Sequence, residues 1–234
     1  MYCSSSSTIL LLTIFMATNI FMVSGIPWKS EQHKGTESKH QHLLNQTRHY
    51  GQQIHAIFLG ASIVERWLTD GNSVWKQYYS KRNAFNYGIS GDRTEHVLWR
   101  IENGEFDGLQ PKVIVLMIGT NNVPIGDKPA DIAKGIQMIL KELLAKMNKS
   151  KILLLSIFPR GGESIDRKVA EVNNIIHDYQ DNSRIFYLDV TKHFETNPGK
   201  IIKKYYVHDH LHLTEQGYQL WHKVMEPLFS KLLN

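Results

Sequence analysis

Five short apolar runs alternate with segments of helical periodicity along most of the chain. The runs occupy residues 54–59, 84–87, 113–118, 152–157 and 185–190. Two of them, VIVLMI and ILLLSI, show no alternation of polar and apolar positions, which is typical of strands that are covered on both faces. Such strands belong in a parallel sheet with helices on either side.

Between the runs, apolar residues recur at helical spacing and form one-sided stripes. The stripes are formed by Ile132, Ile136, Ile139, Leu140, Leu143, Leu144 and Met147, and by Ile165, Val169, Val172, Ile175, Ile176 and Tyr179. A last helix is predicted after Thr214, a suitable N-cap, and Pro227 is expected to kink or shorten it. The alternation of strands and helices predicts an α/β fold, a three-layer α/β/α sandwich around a five-stranded parallel sheet.

The first 25 residues have the pattern of a secretory signal peptide. They carry no charged side chain, contain the apolar stretch ILLLTIFM, and end in Ser24 and Gly25, small residues of the kind that a signal peptidase reads. A retained membrane anchor is the alternative, because the apolar stretch over residues 8–23 approaches spanning length. Asn19 and three threonines interrupt that stretch, so we expect a cleaved signal peptide at residues 1–25, a secreted product and no stable membrane insertion after cleavage.

Export has two further consequences. The single cysteine, Cys3, would leave with the signal peptide. The sequons that begin at Asn45 and Asn148 would become candidate glycosylation sites.

Residues 26–53 are rich in histidine and lysine. The histidines are His33, His40, His42 and His49. A metal-binding tract is conceivable from this composition, but the spacing is irregular and a flexible, solvated arm is the favoured interpretation. The catalytic or binding domain is then expected over residues 54–234.

The composition and charge of the chain exclude several classes of protein. The chain has 234 residues, 42% of them hydrophobic, and a formal charge of +5, which suits one ordinary globular domain and excludes a disulfide-stapled miniprotein or a disordered chain. No basic helix, RNA-binding aromatic motif or zinc-finger spacing accompanies the charge, so we expect no nucleic-acid partner.

Ligands of parallel α/β sheets bind beyond the carboxyl ends of the strands, and three short motifs follow the predicted strands there. In GASI, Ser62 would open a helix, although serine in that place is usually only a cap. In NYGISGD, the backbone N–H of Gly91 would face the crevice, and Asp92 or Thr94 would cap the following helix. In GTNN, the side chain of Asn121 could aim amide donors at a ligand.

A fourth motif, DHLH, precedes the last helix. An aspartate three residues before a histidine, as Asp209 is before His212, can reach Nδ1 of the ring and fix its tautomer. The alternative is a zinc site formed by His208, His210 and His212, which would share one face if the segment were extended.

Together the four motifs resemble those of the SGNH/GDSL hydrolase superfamily, in particular the branch that contains the intracellular platelet-activating factor acetylhydrolases and related bacterial esterases. The similarity covers residues 57–228 and is dense in NYGISGDRTEHVLWRIENGEFDGLQPKVIVLMIGTNN, LLLSIFPRGG and HDHLHLTEQGY. The resemblance implies a flavodoxin-like fold, Ser62 as nucleophile, His212 as general base and Asp209 as the acid that orients it. It implies an oxyanion hole of the Ser62 and Gly91 backbone N–H groups and the Asn121 side chain, with no metal and no organic cofactor.

The chain departs from the superfamily pattern at one position, since Ala61 replaces the aspartate that usually precedes the nucleophile. The leading hypothesis is a secreted serine esterase that removes short acyl groups, most readily acetyl, from a carbohydrate or a phospholipid. The alternative is a catalytically weak or silent binding protein that uses the same crevice for a glycan or lipid head group. A metal-binding protein is a third hypothesis, and a homodimer is a further expectation from the relatives.

Overall fold

A computed structural model describes residues 25–197 and 199–234. The predicted signal peptide up to residue 24, Cys3 included, lies outside these residues. Within the described part of the chain, no helix is both long and apolar enough to cross a membrane.

The core of the molecule is a sheet of five parallel strands, as the apolar runs predict. The strands are β1 (Ala56–Gly60), β2 (Ala84–Gly88), β3 (Val113–Met117), β4 (Lys151–Leu155) and β5 (Ile185–Leu188). Their order is β2-β1-β3-β4-β5, which is the flavodoxin-like arrangement with a reversal of strand order between β1 and β3. The first and last residues of each apolar run lie within two residues of the ends of the corresponding strand.

Helices and one short hairpin complete the fold. The helices are α1 (Glu37–Tyr50), α2 (Ser62–Glu65), α3 (Asn72–Tyr78), α4 (Thr94–Glu102), α5 (Pro129–Lys146), α6 (Glu163–His177), α7 (Thr191–Phe194) and α8 (Glu215–Leu233). The hairpin pairs β6 (Glu195–Asn197) with β7 (Lys200–Ile201). Short 3₁₀ turns occupy Gly51–Gln53, Arg66–Leu68, Ser80–Arg82 and Lys203–Tyr205.

The two faces of the sheet pack into two separate apolar clusters. Ile57 and Leu59 of β1 join the cluster beneath α1, α4, α5 and α6. Phe58, between them, joins the opposite cluster beneath α3 and α8. Because successive strand side chains point to opposite faces, a fully buried strand serves both clusters, and the result is the predicted three-layer sandwich.

Helix α8 begins as predicted but is not shortened by its proline. The Thr214 hydroxyl accepts a hydrogen bond from the Gly217 N–H at 3.2 Å, which satisfies one of the donors at the helix start. Pro227 lies inside the helix on its exposed side, where water can reach the carbonyl that loses its partner. Buried Met225 and Phe229 hold the helix to the core on either side of the proline.

Residues 26–53 are a packed part of the domain rather than the solvated arm that their composition predicts. Helix α1 buries Leu43 and Thr47, and the Thr47 hydroxyl lies 2.7 Å from that of Tyr87. Nδ1 of His40 lies 2.7 Å from the fully buried carboxylate of Glu105. The polar composition is misleading because these side chains find hydrogen-bond partners inside the domain.

Candidate active site

Three of the four motifs meet at the carboxyl ends of β1, β2 and β3, where the strand order reverses. Ser62 lies two residues beyond the end of β1, as the first residue of α2, and is buried. Helix α2 lies so close to β2 that a side chain on Gly88 would collide with the backbone of Glu65. The Asn86 side chain ties the two together, since it donates to the Val64 carbonyl at 2.6 Å. The serine is therefore held on a short, tightly packed turn.

The fourth motif brings His212 and Asp209 to this serine. Nε2 of His212 lies 2.8 Å from the Ser62 hydroxyl, and its Nδ1 lies 2.6 Å from Oδ2 of Asp209. Oδ1 of Asp209 accepts the backbone N–H groups of Leu211 and His212, both at 2.9 Å. The three side chains form one continuous hydrogen-bonded chain.

The surroundings of Asp209 favour its ionised form. Partial burial alone would raise the pKa of this carboxyl, but the hydrogen bonds from the His212 ring and from the Leu211 and His212 N–H groups outweigh burial and hold the pKa well below its usual range. Hydrogen bonds that are donated to a carboxylate act in this direction. Asp209 is thus a fixed negative charge beside the imidazole.

The segment around His210 is a turn and not the extended strand that the zinc alternative requires. The Val207 N–H donates to the His212 carbonyl at 2.9 Å, and the His210 N–H donates back to the Val207 carbonyl at 3.0 Å. His210 itself adopts a left-handed conformation with φ of 58°. Only His212 of the three predicted zinc ligands lines the pocket at Ser62.

Gly91 and Asn121 border the same pocket. Its lining residues are Ser62, Arg66, Ser90, Gly91, Asn121, Asp209, Leu211 and His212. Gly91 has φ of 83°, a left-handed conformation that glycine adopts without strain. The Asn121 side chain donates one amide hydrogen to the Asp92 carbonyl at 2.9 Å, and an amide nitrogen carries a second hydrogen. All five residues predicted for the site are therefore brought together.

Neither of the two candidate caps, Asp92 and Thr94, is the N-cap of α4. Arg93 is the N-cap of α4, and the His96 ring accepts the Arg93 N–H at 3.1 Å. The Asp92 carboxylate is fully buried instead and accepts hydrogen bonds from Arg100 at 2.5 Å and from His33 at 2.8 Å. Burial of a carboxylate requires such partners, and local sequence contains no signal for a partner 59 positions away.

His33, Asp92 and His96 form the one three-residue group among the described residues whose ligand atoms lie close enough to share a metal ion. The surroundings do not favour a cation. Nδ1 of His96 is already used by the Arg93 N–H, the two imidazole rings are stacked face to face at 4.4 Å, and Arg100 neutralises Asp92. Burial lowers the pKa of His96 to about 4, which keeps it a neutral acceptor.

The two candidate glycosylation sites lie outside the pocket. Asn45 is exposed on α1, and Asn148 is exposed in the turn between α5 and β4. Neither asparagine is among the residues that line the pocket at Ser62.

Comparison with known proteins identifies the family. The sequence model of the GDSL-like lipase/acylhydrolase family matches residues 58–220. The chain is 34% identical over 180 residues to the platelet-activating factor acetylhydrolase IB subunit alpha2 of Rattus norvegicus, covering 76% of each chain. It is 31% identical over the same length to the human alpha1 subunit, again covering 76% of each.

Solved structures agree in fold. A GDSL-like lipase from Bacteroides thetaiotaomicron superposes with a TM-score of 0.67 at 20% identity, covering 80% of this chain and 97% of the lipase. A family 3 carbohydrate esterase from Clostridium thermocellum superposes with a TM-score of 0.58 at 17% identity, covering 77% and 99%. The chain therefore belongs to the GDSL-like lipase/acylhydrolase family and is a hydrolase that acts on esters.

Proposed function

We propose that this protein hydrolyses esters of short acyl groups, acetyl above all, through an acyl-enzyme on Ser62. The observation that carries the proposal is the unbroken contact from Asp209 through His212 to the Ser62 hydroxyl, with distances of 2.6 and 2.8 Å. A nucleophile within hydrogen-bond reach of a base, which is itself oriented by a third group, is the arrangement that nucleophilic ester hydrolysis needs.

In the acylation step, His212 takes the proton of Ser62 as the hydroxyl oxygen attacks the ester carbonyl. The negative charge that develops on the carbonyl oxygen is stabilised by the backbone N–H groups of Ser62 and Gly91 and by the second amide hydrogen of Asn121. His212 then gives its proton to the departing alcohol, and the acyl group remains on Ser62. Asp209 stabilises the transient imidazolium throughout.

Deacylation repeats these steps with water. His212 removes a proton from a water molecule, whose oxygen attacks the acyl carbonyl in the same oxyanion hole. Return of that proton to Ser62 releases the carboxylic acid and regenerates the free enzyme.

The lining of the pocket supports a short acyl group and a polar alcohol. Leu211 is the one large apolar side chain among its lining residues, whereas Arg66, Ser90 and Asn121 present polar atoms. A long acyl chain would find little apolar surface to cover it. A carbohydrate or a phospholipid head group suits the polar rim, and relatives with "acetylhydrolase" and "carbohydrate esterase" in their names support both choices.

Secretion is part of the proposal. It is supported by the uncharged, apolar sequence of residues 1–25 and by the two exposed sequon asparagines, Asn45 and Asn148. Expression in a eukaryotic cell should give product in the medium that begins near Ile26 and shifts in mobility after endoglycosidase treatment. Retention of residues 1–25 on a membrane-bound product would support the anchor instead.

Activity is tested with p-nitrophenyl esters of increasing acyl length, on the wild type and on Ser62→Ala. We expect turnover of the acetate, a decline of at least about tenfold towards the octanoate, and no turnover above background by Ser62→Ala. Equal rates for the two proteins would overturn the mechanism. Absence of turnover together with measurable glycan or head-group binding would support a silent binding protein.

A further inference from the structure

The N-terminal arm, residues 26–50, precedes the part of the chain that matches the family model but packs around the start of α4. The Pro27 carbonyl accepts the Thr94 hydroxyl at 2.8 Å, and the Glu31 N–H donates to the Glu95 carbonyl at 3.2 Å. These contacts carry the arm directly past the turn Ser90–Gly91–Asp92, which we call the oxyanion turn.

Polar contacts connect the arm to both ends of this turn. At one end, Glu65 accepts the Ser90 N–H at 2.9 Å with Oε2, and its other oxygen is held by Lys39 of the arm at 2.5 Å. At the other end, Oδ1 of the buried Asp92 accepts a hydrogen bond from Nδ1 of His33 at 2.8 Å. The carboxylates of Glu65 and Asp92 thus link the arm to the turn.

His33 also occupies the space beside Gly91 itself. A Cβ atom on Gly91 would lie 3.0 Å from Cε1 and 3.5 Å from Nε2 of the His33 ring, so the imidazole packs against the glycine where a side chain would otherwise stand. The Asn121 amide is anchored on the Asp92 carbonyl at 2.9 Å. Both of the oxyanion donors outside Ser62 therefore depend on where the turn sits.

We propose that His33 and Lys39, two residues of the N-terminal arm, are positioning residues for the oxyanion hole. The inference rests on the oxyanion role proposed above for Gly91 and Asn121. Oxyanion donors stabilise charge only when they are held at the site of the developing negative charge, and a displacement of about 1 Å can cost a hundredfold in rate. Neither residue touches the substrate in this scheme.

His40 provides a matched control on the same arm. Its imidazole makes the same kind of contact, 2.7 Å to the buried carboxylate of Glu105, but Glu105 reaches the oxyanion turn only indirectly, through Arg100. If His33 has only a structural role, His33→Ala and His40→Ala should lower kcat to the same extent. A positioning role predicts a difference between them in kcat.

The test measures kcat, KM and thermal stability for His33→Ala, His33→Asn, His40→Ala, Lys39→Met and Lys39→Arg with p-nitrophenyl acetate. We expect His33→Ala to lower kcat by roughly 10- to 100-fold while KM changes by less than about threefold. Asparagine should restore part of this loss, because its amide nitrogen can donate where Nδ1 did. Lys39→Met should lower kcat and Lys39→Arg should keep it, and His40→Ala should leave kcat within about threefold even where it lowers the melting temperature.

Two results would overturn the proposal and leave the esterase function intact. The first is an equal fall of kcat in His33→Ala and His40→Ala that follows stability alone. The second is an unchanged kcat in both His33→Ala and Lys39→Met. Failure of the esterase function itself is recognised separately, by turnover of the wild type that does not depend on Ser62.

Discussion

The Asp209 carboxylate is joined to His212 through both of its oxygens, Oδ2 to the ring Nδ1 at 2.6 Å and Oδ1 to the backbone N–H at 2.9 Å. The side chain and the backbone of the histidine are therefore fixed by the same carboxylate. The other ring nitrogen is left facing Ser62 at 2.8 Å. This double attachment explains how an imidazole on a surface turn keeps one orientation.

Replacing Asp209 by asparagine should lower kcat by about 10² to 10⁴. The amide can turn a donor towards Nδ1, so the ring would hold its proton on Nε2 and could no longer accept one from Ser62. His177 and Asp178 form an exposed pair at 3.0 Å at the C-terminal end of α6, and Asp178→Asn is the control that should leave kcat unchanged. A kcat within threefold of wild type in Asp209→Asn would contradict the orienting role.

Replacing Asn121 should lower the rate of catalysis, whereas replacing its neighbour Asn122 should lower stability. Asn121 borders the pocket, so Asn121→Ala should lower kcat by about 10² to 10³ with little effect on the melting temperature. Asn122 is fully buried, accepts the Thr94 N–H at 3.1 Å and donates to Glu95 at 3.0 Å. Asn122→Ala should cost about 1–3 kcal/mol in the free energy of unfolding. A large loss of stability in Asn121→Ala together with a large loss of kcat in Asn122→Ala would contradict these two roles.

Stability should depend on pH through His96. Burial lowers the pKa of this imidazole from 6.5 to about 4, so between these values the unfolded chain binds the proton more tightly than the folded one. The free energy of unfolding should consequently fall as the pH is lowered from about 7 to about 4, by up to about 3 kcal/mol from this group. Above pH 7 the contribution of His96 is constant.

Urea denaturation of His96→Gln measures that contribution. Glutamine can accept the Arg93 N–H at this position of the helix start but does not titrate, so the variant should lose less stability than the wild type on acidification. Identical slopes of stability against pH in the two proteins would show that His96 is not the responsible group.

Restoring the family aspartate at Ala61 should change stability more than rate. Ala61 is 1% exposed and belongs to the apolar cluster beneath α1, α4, α5 and α6. The hydrogen bonds that join Ser62 to His212 and His212 to Asp209 are formed with alanine at this position. Ala61→Asp should cost at least about 3 kcal/mol in the free energy of unfolding, because it buries a carboxylate in an apolar cluster, and it should keep kcat/KM within about threefold. Ala61→Asn is the uncharged control. A rate gain of tenfold or more in Ala61→Asp would mean that Ala61 impairs the natural enzyme.

The sheet and the residues around Ser62 are predictable because their signals are local. Unbroken apolar runs mark strands that are buried on both sides, and the spacing of Asp209 and His212 fits a single turn. The resemblance to a known superfamily adds Gly91 and Asn121, whose residue types alone would not distinguish them from ordinary turn residues.

The N-terminal arm could not be predicted in the same way. Helix α1 buries only Leu43 and Thr47, so its apolar periodicity is too sparse to stand out. The contacts of His33 and His40 join residues 59 and 65 positions apart, and they become favourable only after tertiary packing has removed Asp92 and Glu105 from water. Asp92 is misjudged as a cap for the same reason, since the buried Arg100 that it neutralises cannot be recognised from sequence.

Covalent labelling by a fluorophosphonate tests the central claim, that Ser62 is the nucleophile, most directly. The fraction of protein labelled, read by mass spectrometry and assigned by peptide mapping, is compared with the fraction of p-nitrophenyl acetate turnover that is lost. We predict one label per chain, located on Ser62, with activity lost in proportion and no labelling of Ser62→Ala. Full turnover by a protein that carries the label on Ser62, or labelling and inactivation at a different residue, would contradict the account.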